Sequence, residues 1–271
     1  MRINIAGVQI DNVTKLETLQ KISEYLQDGK PHFIATTYSE FIVFAQRDER
    51  FKSAINNSDL SLPDGIGILW AAKYLSLPSK STAESFWQVI YSGASLIFDP
   101  SYCRTIITET VTGSRLIWDI AEFAAINNYS MSLVGGQNNV TEMTAVKLKE
   151  KNPSLKIKLA LSNNIPFDDD LVARIAASDS DILLIAYQPP KQEKWLAENL
   201  YKLNVKLAMG LGGTFDYVSG VRAYSPKVVN DLGLEWLWRL VTQPWRIKRI
   251  YNAIIVFISI VYKYKINKEI A

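Results

Sequence analysis

The feature that most constrains this 271-residue chain is a regular alternation of two kinds of segment. Apolar runs of four or five residues alternate with longer stretches that have the pattern of helices. Such alternation predicts an α/β fold, with a Rossmann-like, mostly parallel sheet and helices on both faces. The predicted strands are Arg2–Ile5, His32–Ala35, Asp59–Leu62, Ser130–Val134, Lys156–Ala160, Ile182–Ala186 and Lys206–Gly210, and the predicted helices lie near Lys15–Leu26, Ser39–Asn56, Ile66–Leu75, Ser114–Asn128, Asn139–Lys151, Asp168–Ala177 and Gln192–Leu203.

One stretch, Leu77–Ile107, interrupts the alternation with aromatic residues among serines and prolines. Two interpretations stay open. The stretch forms an extra subdomain or pair of helices, or it provides a lid or an apolar surface beside an active site. The sequence therefore predicts a core over residues 1–234, with an insert at about 77–107, and a helical, basic C-terminal appendage over residues 235–271.

The amino-acid composition limits the kinds of functional site that the chain can form. Apolar residues make up 48% of the chain, which is ample for a packed core. Cys103 is the only cysteine and His32 the only histidine, which excludes an internal disulfide framework and gives poor support for a zinc site or a Cys/His nucleophile pair. We expect no metal site and no cofactor, and we interpret His32 as structural. The N-terminal stretch MRINIAGVQI becomes polar too soon for a signal peptide, which predicts a cytoplasmic protein.

Basic charge is concentrated near the C-terminus. Residues 239–271 hold seven lysines and arginines and one acid, a net of +6, whereas the whole chain has +3, which leaves −3 for residues 1–238. A basic segment of this kind predicts an anionic partner, which is phosphate, nucleic acid or a membrane surface. The acidic body and the lack of a recognised binding fold argue against nucleic acid.

The residues around these charges favour a membrane surface. Tryptophans lie among Arg239, Arg246 and Arg249, as they do at membrane–water interfaces, and the three arginines share one helical face unless Pro244 interrupts it. The apolar run Ile254–Val261 is too short to cross a bilayer, which needs about 20 residues. We interpret it as an anchor in the interface or as a contact with a partner.

Asp64 lies where a predicted strand ends, in the stretch Leu62-Pro63-Asp64-Gly65-Ile66-Gly67. In open α/β sheets, ligands bind outside the carboxyl ends of the strands. An aspartate there can accept a proton, bind a sugar hydroxyl or hold a metal. The alternative is an ordinary turn aspartate before glycine.

Three further loops follow predicted strands. Gly135 and Gly136 open one helix, where free backbone N–H groups suit phosphate, and Gly212, Gly213 and Asp216 belong to a second glycine-rich strand end. Two such loops at one sheet edge could hold the two phosphates of a nucleotide diphosphate, although glycines are also ordinary in such turns.

The third of these loops contains Pro189 and Pro190, which place Gln192 in the first turn of a helix. The amide of Gln192 then faces a pocket. The alternative is a capping glutamine followed by solvent-facing Glu193 and Lys194.

Taken in order, these segments resemble the WecG/TagA/CpsF family of bacterial glycosyltransferases. The resemblance covers most of the chain outside Leu77–Ile107. It is carried by Thr36 with Glu40, Phe51–Ala54, Ser58–Gly67, Val111-Thr112-Gly113, Leu133–Gly136, Asp181, Pro190–Trp195, Gly210–Asp216, Gly220, Arg222 and Gly233–Tyr251.

The resemblance implies a metal-independent, inverting enzyme with a Rossmann-like core. Such enzymes move a sugar, often N-acetylmannosamine, from a UDP donor to a sugar on a polyprenyl diphosphate. They work at the inner face of the cell membrane, in the synthesis of teichoic acid linkage units, enterobacterial common antigen or capsule. The resemblance makes Asp64 the general base and Thr36 and Gln192 further pocket residues. It also places Arg239, Arg246 and Arg249 in an appendage that closes the active site.

Three positions depart from the family pattern. Tyr38, Thr110 and Gln188 stand where the family usually has asparagine, arginine and glycine. Two alternatives therefore stay open: the same machinery with another UDP-hexose and acceptor, or a catalytically silent UDP-sugar-binding partner in a glycan assembly complex. A nicotinamide-dependent oxidoreductase is disfavoured because the spaced glycine fingerprint and its ribose-binding acid are missing. The sequence also leaves a homo-oligomer open.

Overall fold

The computed structural model describes residues 1–162, 166–226, 229 and 235–270, and for residues 235, 236, 239, 246, 269 and 270 it describes the backbone alone. The described residues form a six-stranded parallel sheet in the order β4-β3-β8-β7-β5-β6, with helices on both faces, and a separate two-stranded hairpin. The predicted fold class is therefore confirmed. The strands are β1 Arg2–Ile5, β2 Val8–Asp11, β3 His32–Thr37, β4 Leu60–Pro63, β5 Ser130–Gly135, β6 Lys156–Leu161, β7 Ile182–Ala186 and β8 Leu207–Gly210.

The helices of the described part follow the predicted alternation. In chain order they are α1 Lys15–Gln27, α2 Ser39–Ala45, α3 Glu49–Asn56, α4 Ile66–Ser76, α5 Thr82–Phe98, α6 Gly113–Ile126, α7 Val140–Lys151, α8 Asp169–Ser178, α9 Lys191–Asn199, α10 Thr214–Val218, α11 Glu235–Thr242, α12 Ile247–Tyr251 and α13 Phe257–Ile270. Short 3₁₀ turns span Pro100–Arg104, Leu200–Lys202 and Pro244–Arg246, and a π turn spans Asn252–Val256.

The sheet has apolar side chains on both faces because its central strands carry apolar residues at every position. In β7, Ile182 and Leu184 pack in one core cluster, whereas Leu183 and Ile185 pack in the other. All five residues of this strand are buried. A strand that is apolar on both faces suits only a sheet that helices cover on both sides.

Two local predictions need correction. The first predicted strand does not join the parallel sheet: β1 pairs with β2 in an antiparallel hairpin, with Ile3 opposite Ile10. The long helix predicted over Ser39–Asn56 is two helices, because the Asp48 side chain accepts a hydrogen bond from the Phe51 amide at 2.9 Å and starts α3 as its N-cap.

The C-terminal segment is part of the core. Phe257 and Val261 of α13 are fully buried in the main apolar cluster, and the Phe257 ring lies 6.0 Å from that of Trp70 in α4. The interpretation of Ile254–Val261 as an interfacial anchor is therefore wrong for these two residues. Pro244 begins a 3₁₀ turn between α11 and α12, so Arg239 and Arg249 lie on separate helices.

Among the described residues, no helix is both long and apolar enough to cross a membrane.

Candidate active site

The predicted site residues lie in loops that follow neighbouring strands. Thr36 is the second-last residue of β3, Asp64 follows β4, the Gly212 loop follows β8, and the loop before Gln192 follows β7. These strands are consecutive in the order β4-β3-β8-β7, and β5, which ends at Gly135, comes next. Because the strands are parallel, all of these loops meet at the carboxyl edge of the sheet, where α/β proteins bind ligands.

Asp64 is half-buried at the point where the chain leaves β4 for α4. Its backbone N–H donates to the carbonyl of Thr37 at 2.9 Å, which ties it to the end of β3. Gly65 has a φ of +91°, a conformation that L-residues rarely adopt, and this lets α4 begin at Ile66, directly after the aspartate. The carboxylate is thereby placed beside the first turn of a helix.

Thr36 is held by its neighbours on both sides. It is buried, and its hydroxyl donates to the carbonyl of Gly210 in β8 at 2.9 Å. The Val111-Thr112-Gly113 segment packs over it, since a Cβ on Gly113 would lie 2.8 Å from Leu211 and 3.3 Å from Thr36. The threonine therefore fixes the spacing between two strand ends.

Gln192 lies in the first turn of α9, as the prolines predict. Its side chain does not cap that helix. Oε1 accepts from the backbone N–H of Tyr187 at 3.0 Å and of Gly212 at 3.4 Å, and Nε2 donates to the Glu193 carboxylate at 2.6 Å. Gln192 thus joins the loops that follow β7 and β8.

Glu193 is fully buried, so the expectation of a solvent-facing side chain is wrong. Burial raises the pKa of its carboxyl to about 7, against the opposing effect of the hydrogen bond from Gln192. Its Oε2 atom has no hydrogen-bond partner within the part of the chain that the structure describes. Nothing in the sequence pattern distinguishes this glutamate from an exposed one in a helix first turn. Lys194, next along, pairs with Asp48 at 2.6 Å.

Arg249 reaches the same edge from α12. Its guanidinium donates to the buried Glu40 carboxylate, at 3.2 Å from Nε to Oε1 and 2.8 Å from Nη2 to Oε2, and Nη2 lies 3.3 Å from the Tyr38 hydroxyl. Burial, and after it the charge of Glu40, raises the pKa of Tyr38 above its usual range, so the phenol stays neutral. The side chains of Arg239 and Arg246 lie outside the described residues.

The glycine loops allow the backbones of neighbouring strand ends to approach closely, and they leave few backbone N–H groups free to bind phosphate. A Cβ on Gly135 would lie 2.5 Å from the Ala186 carbonyl oxygen, and the Gly136 N–H already donates to that oxygen at 2.9 Å. The Gly212 N–H donates to the side-chain oxygen of Gln192 at 3.4 Å. Beside Gly213, the Asp216 carboxylate pairs with Arg222 at 3.0 Å. The backbone amides of Gly136 and Gly212 are therefore used inside the protein.

The opposite edge of the sheet holds a cleft of about 590 Å³ that contains none of the predicted site residues. Two of its lysines are engaged: Lys206 pairs with Asp181 at 2.9 Å, and Lys158 donates to the Asp179 carbonyl at 2.6 Å. His32 lies at this amino edge too, stacked on Tyr25 with ring centroids 4.1 Å apart. The interpretation of His32 as structural is consistent with these contacts.

Gln192→Ala is expected to lower both stability and turnover. Two backbone N–H groups and one carboxylate oxygen lose their Gln192 partner, and each loss costs about 1–3 kcal/mol of the free energy of unfolding. The loops after β7 and β8 also separate, and a displacement of about 1 Å at a site can cost roughly 10²-fold in rate. Urea unfolding and turnover per folded molecule measure the two effects. Gln46→Ala, which removes two side-chain hydrogen bonds away from the edge, is the control. Equal turnover in both variants would contradict the positioning role.

Glu193→Gln is expected to stabilise the protein at high pH only. The pKa of about 7 in the folded chain exceeds the ordinary value of 4.5, so folding disfavours the charged carboxylate. The free energy of unfolding is therefore highest below about pH 4.5, falls as the pH rises to 7, and stays lower by ~3 kcal/mol above that. The neutral glutamine removes this loss. Urea unfolding at both ends of this pH range, with the exposed Glu122→Gln as control, measures it, and an equal change at both pH values would contradict the buried charge.

The chain resembles known glycosyltransferases along nearly its whole length. The family model described as "Glycosyl transferase WecG/TagA/CpsF family" matches residues 3–90 and 80–271. A relative from Staphylococcus aureus (strain MRSA252), named N-acetylglucosaminyldiphosphoundecaprenol N-acetyl-beta-D-mannosaminyltransferase, is 23% identical over 269 residues, which cover 98% of this chain and 92% of the relative. The protein of the same name from strain NCTC 8325 / PS 47 is 22% identical over the same coverage.

Proposed function

This chain belongs to the WecG/TagA/CpsF family of glycosyltransferases, and from that premise we propose its substrates and mechanism. It moves an N-acetylhexosamine, N-acetylmannosamine in the first instance, from a UDP donor to a sugar linked to a polyprenyl diphosphate. The transfer inverts the anomeric carbon and needs no metal. The names of the two relatives support this choice, because they give N-acetylmannosamine as the transferred sugar and a diphosphoundecaprenol-linked N-acetylglucosamine as the acceptor.

The observation that carries the proposal is the meeting of Asp64, Thr36, Gln192 and Arg249 at one edge of the sheet. The acceptor hydroxyl gives its proton to the Asp64 carboxylate while its oxygen attacks the anomeric carbon. The bond from that carbon to the UDP oxygen breaks, and the electron pair leaves on the diphosphate. A general base of this kind is effective when it lies within hydrogen-bond reach of the proton that it removes.

Arginines neutralise the leaving diphosphate in this proposal. Guanidinium forks match phosphate oxygens and can take the place of a metal ion. The ion pair with Glu40 holds the Arg249 guanidinium at the carboxyl edge, and Arg246 lies one turn earlier in the chain. Gln192 and Thr36 keep the neighbouring loops at a fixed distance, which orients the sugar.

We propose that the enzyme acts at the inner face of the cell membrane, where a polyprenyl-linked acceptor is available. In the described part of the C-terminal appendage, the exposed cations include Lys248, Lys263 and Lys268, which attract an anionic surface. Lys265 is not among them, because its ammonium group is buried against the Tyr74 carbonyl at 2.9 Å. Nucleic acid has no part in the proposal, and a homo-oligomer stays a prediction.

The test is UDP release by the purified full chain from a panel of UDP-sugars, with a short-chain lipid-diphosphate N-acetylglucosamine as acceptor. We expect release with UDP-N-acetylmannosamine and a product of inverted configuration by nuclear magnetic resonance. Chelator is expected to leave the rate unchanged. Loss of activity with chelator and recovery with magnesium or manganese would overturn metal independence.

A second candidate is a silent UDP-sugar-binding partner of a glycan assembly complex. It is favoured by Tyr38, which stands in place of the family's asparagine and contacts Arg249 together with Glu40. The same assay separates the two candidates. A silent partner would bind UDP in calorimetry and release none from any donor in the panel.

A further inference from the structure

Helix α5, which forms most of the insert, has an apolar stripe on its solvent side. Large side chains at helical spacing are exposed along its whole length, with Trp87 65% and Phe98 84% exposed. Between Glu84 and Asp99 the helix contains no charged residue. A surface helix normally turns such a stripe towards the core. The stripe comprises Ala83, Phe86, Trp87, Ile90, Tyr91, Ala94, Ile97 and Phe98.

The opposite face of α5 is polar and buried, and hydrogen bonds fix it there. The Trp70 indole N–H donates to the Ser92 hydroxyl at 3.0 Å, and the Tyr74 hydroxyl donates to the Ser85 carbonyl at 3.2 Å. The buried Lys265 ammonium donates to the Gln88 amide oxygen. Rotating the helix to bury its stripe would leave these groups unpaired, at about 1–3 kcal/mol each. The outward stripe is therefore a property of the folded chain.

The contacts also give the direction of the stripe relative to the active site. Trp70 meets Ser92 and Tyr74 meets Ser85, so α5 runs antiparallel to α4. Helix α4 begins two residues after Asp64. At about 1.5 Å per residue, the Phe98 end of α5 is level with the Asp64 end of α4. The stripe thus begins level with the carboxyl edge of the sheet, where the candidate active site lies, and extends along the side of the protein.

We propose that this α5 stripe docks into the boundary between headgroups and acyl chains of a lipid bilayer. Tryptophan and tyrosine are enriched at that depth, and cations lie near both ends of the helix in the chain. Lys80 precedes Thr82 by two residues, Lys263 follows Tyr262, whose hydroxyl donates to the Thr82 carbonyl, and Arg104 lies in the 3₁₀ turn after Phe98. The proposal deepens the proposed function, from which it takes the lipid-linked acceptor. Docking along α5 would bring the catalytic edge to the headgroups, where the acceptor diphosphate lies.

A bilayer fits the stripe better than a second copy of the chain does. The stripe comprises eight residues, whereas a stable protein interface takes about 20–30 residues from each partner. A bilayer has no such requirement, because apolar side chains insert individually.

The test compares vesicle binding by the full chain and two matched double variants. Trp87→Ser with Ile90→Ser removes the centre of the stripe, and Ile126→Ser with Tyr201→Ser removes apolar side chains elsewhere that are even more exposed. Co-sedimentation uses vesicles of phosphatidylcholine with phosphatidylglycerol, at low and high salt. We expect the stripe variant to bind at least about tenfold more weakly at both salt concentrations, and the control to bind like the parent. Equal binding by both variants would overturn the proposal.

Two further measurements identify the occupant. Trp87→Cys, labelled with an environment-sensitive dye, is expected to shift to the blue on vesicles, while Ile126→Cys is not; the native Cys103 is buried. Light scattering that shows a dimer in the parent and a monomer in the stripe variant, without a change in vesicle binding, would assign the stripe to a second copy.

UDP release on a water-soluble acceptor is measured separately, because its failure in the parent counts against the proposed function and not against docking.

Discussion

Asp64→Asn is expected to fold like the parent and to lose about 10²–10⁴-fold in turnover, the usual cost of removing a general base. The asparagine keeps the shape of the side chain, and the bond from its backbone N–H to the Thr37 carbonyl does not involve the changed group. Binding of UDP should therefore survive. The measurement is UDP release under saturating donor and acceptor, beside calorimetric binding of UDP.

The matched control for this substitution is Asp179→Asn at the other edge of the sheet. Asp179 ends α8 in the left-handed conformation, with a φ of 48°, which asparagine tolerates well. Its turnover should equal that of the parent. If Asp64→Asn also retained near-parental turnover, the proton would leave by another route and Asp64 would be a turn residue, as the alternative interpretation of the motif holds.

The sequence predicted the architecture well because the central strands carry their own signal. A run such as Ile182–Ala186 is apolar at every position, and only a sheet covered on both faces accommodates it. Breaks that depend on a single side chain were harder to predict. The division of Ser39–Asn56 rests on Asp48, which caps one helix and pairs with Lys194, a residue 146 positions away.

The candidate site was predictable where a loop follows a strand, as at Asp64 and Gln192. Its buried charges were not. Glu193 and Lys265 look like surface residues in the sequence, and they are buried because distant segments close over them. The insert shows the converse: its apolar residues predicted an extra subdomain or pair of helices, or a lid or apolar surface beside an active site, and the pattern did not show that Ser85, Gln88 and Ser92 form the buried face of α5. Burial of this kind depends on tertiary contacts, which local pattern does not encode.

The role of the C-terminal appendage in catalysis is best tested by point substitution. Removing residues after 234 would uncover Trp70 and take Phe257 and Val261 from the core, so loss of activity would report loss of the fold. Arg249→Ala alone has a related difficulty. It leaves the buried Glu40 carboxylate without its cation, which is destabilising in itself. A second substitution that neutralises Glu40 separates the two effects.

Arg249→Ala combined with Glu40→Gln is therefore expected to fold with near-parental stability and to lose at least about 10²-fold in turnover, because removing one donor that stabilises transition-state charge costs about 10²–10³-fold. Glu40→Gln alone keeps the arginine and an amide oxygen that can accept its hydrogen bond, so its turnover should fall less than that of the double variant. UDP release on a water-soluble acceptor is the measurement, since it excludes any effect on membrane binding. Vesicle binding should change little, because the α5 stripe is intact. If the double variant turned over as fast as Glu40→Gln, the arginine would serve only to balance the buried glutamate, and the leaving diphosphate would have to be neutralised by other cations.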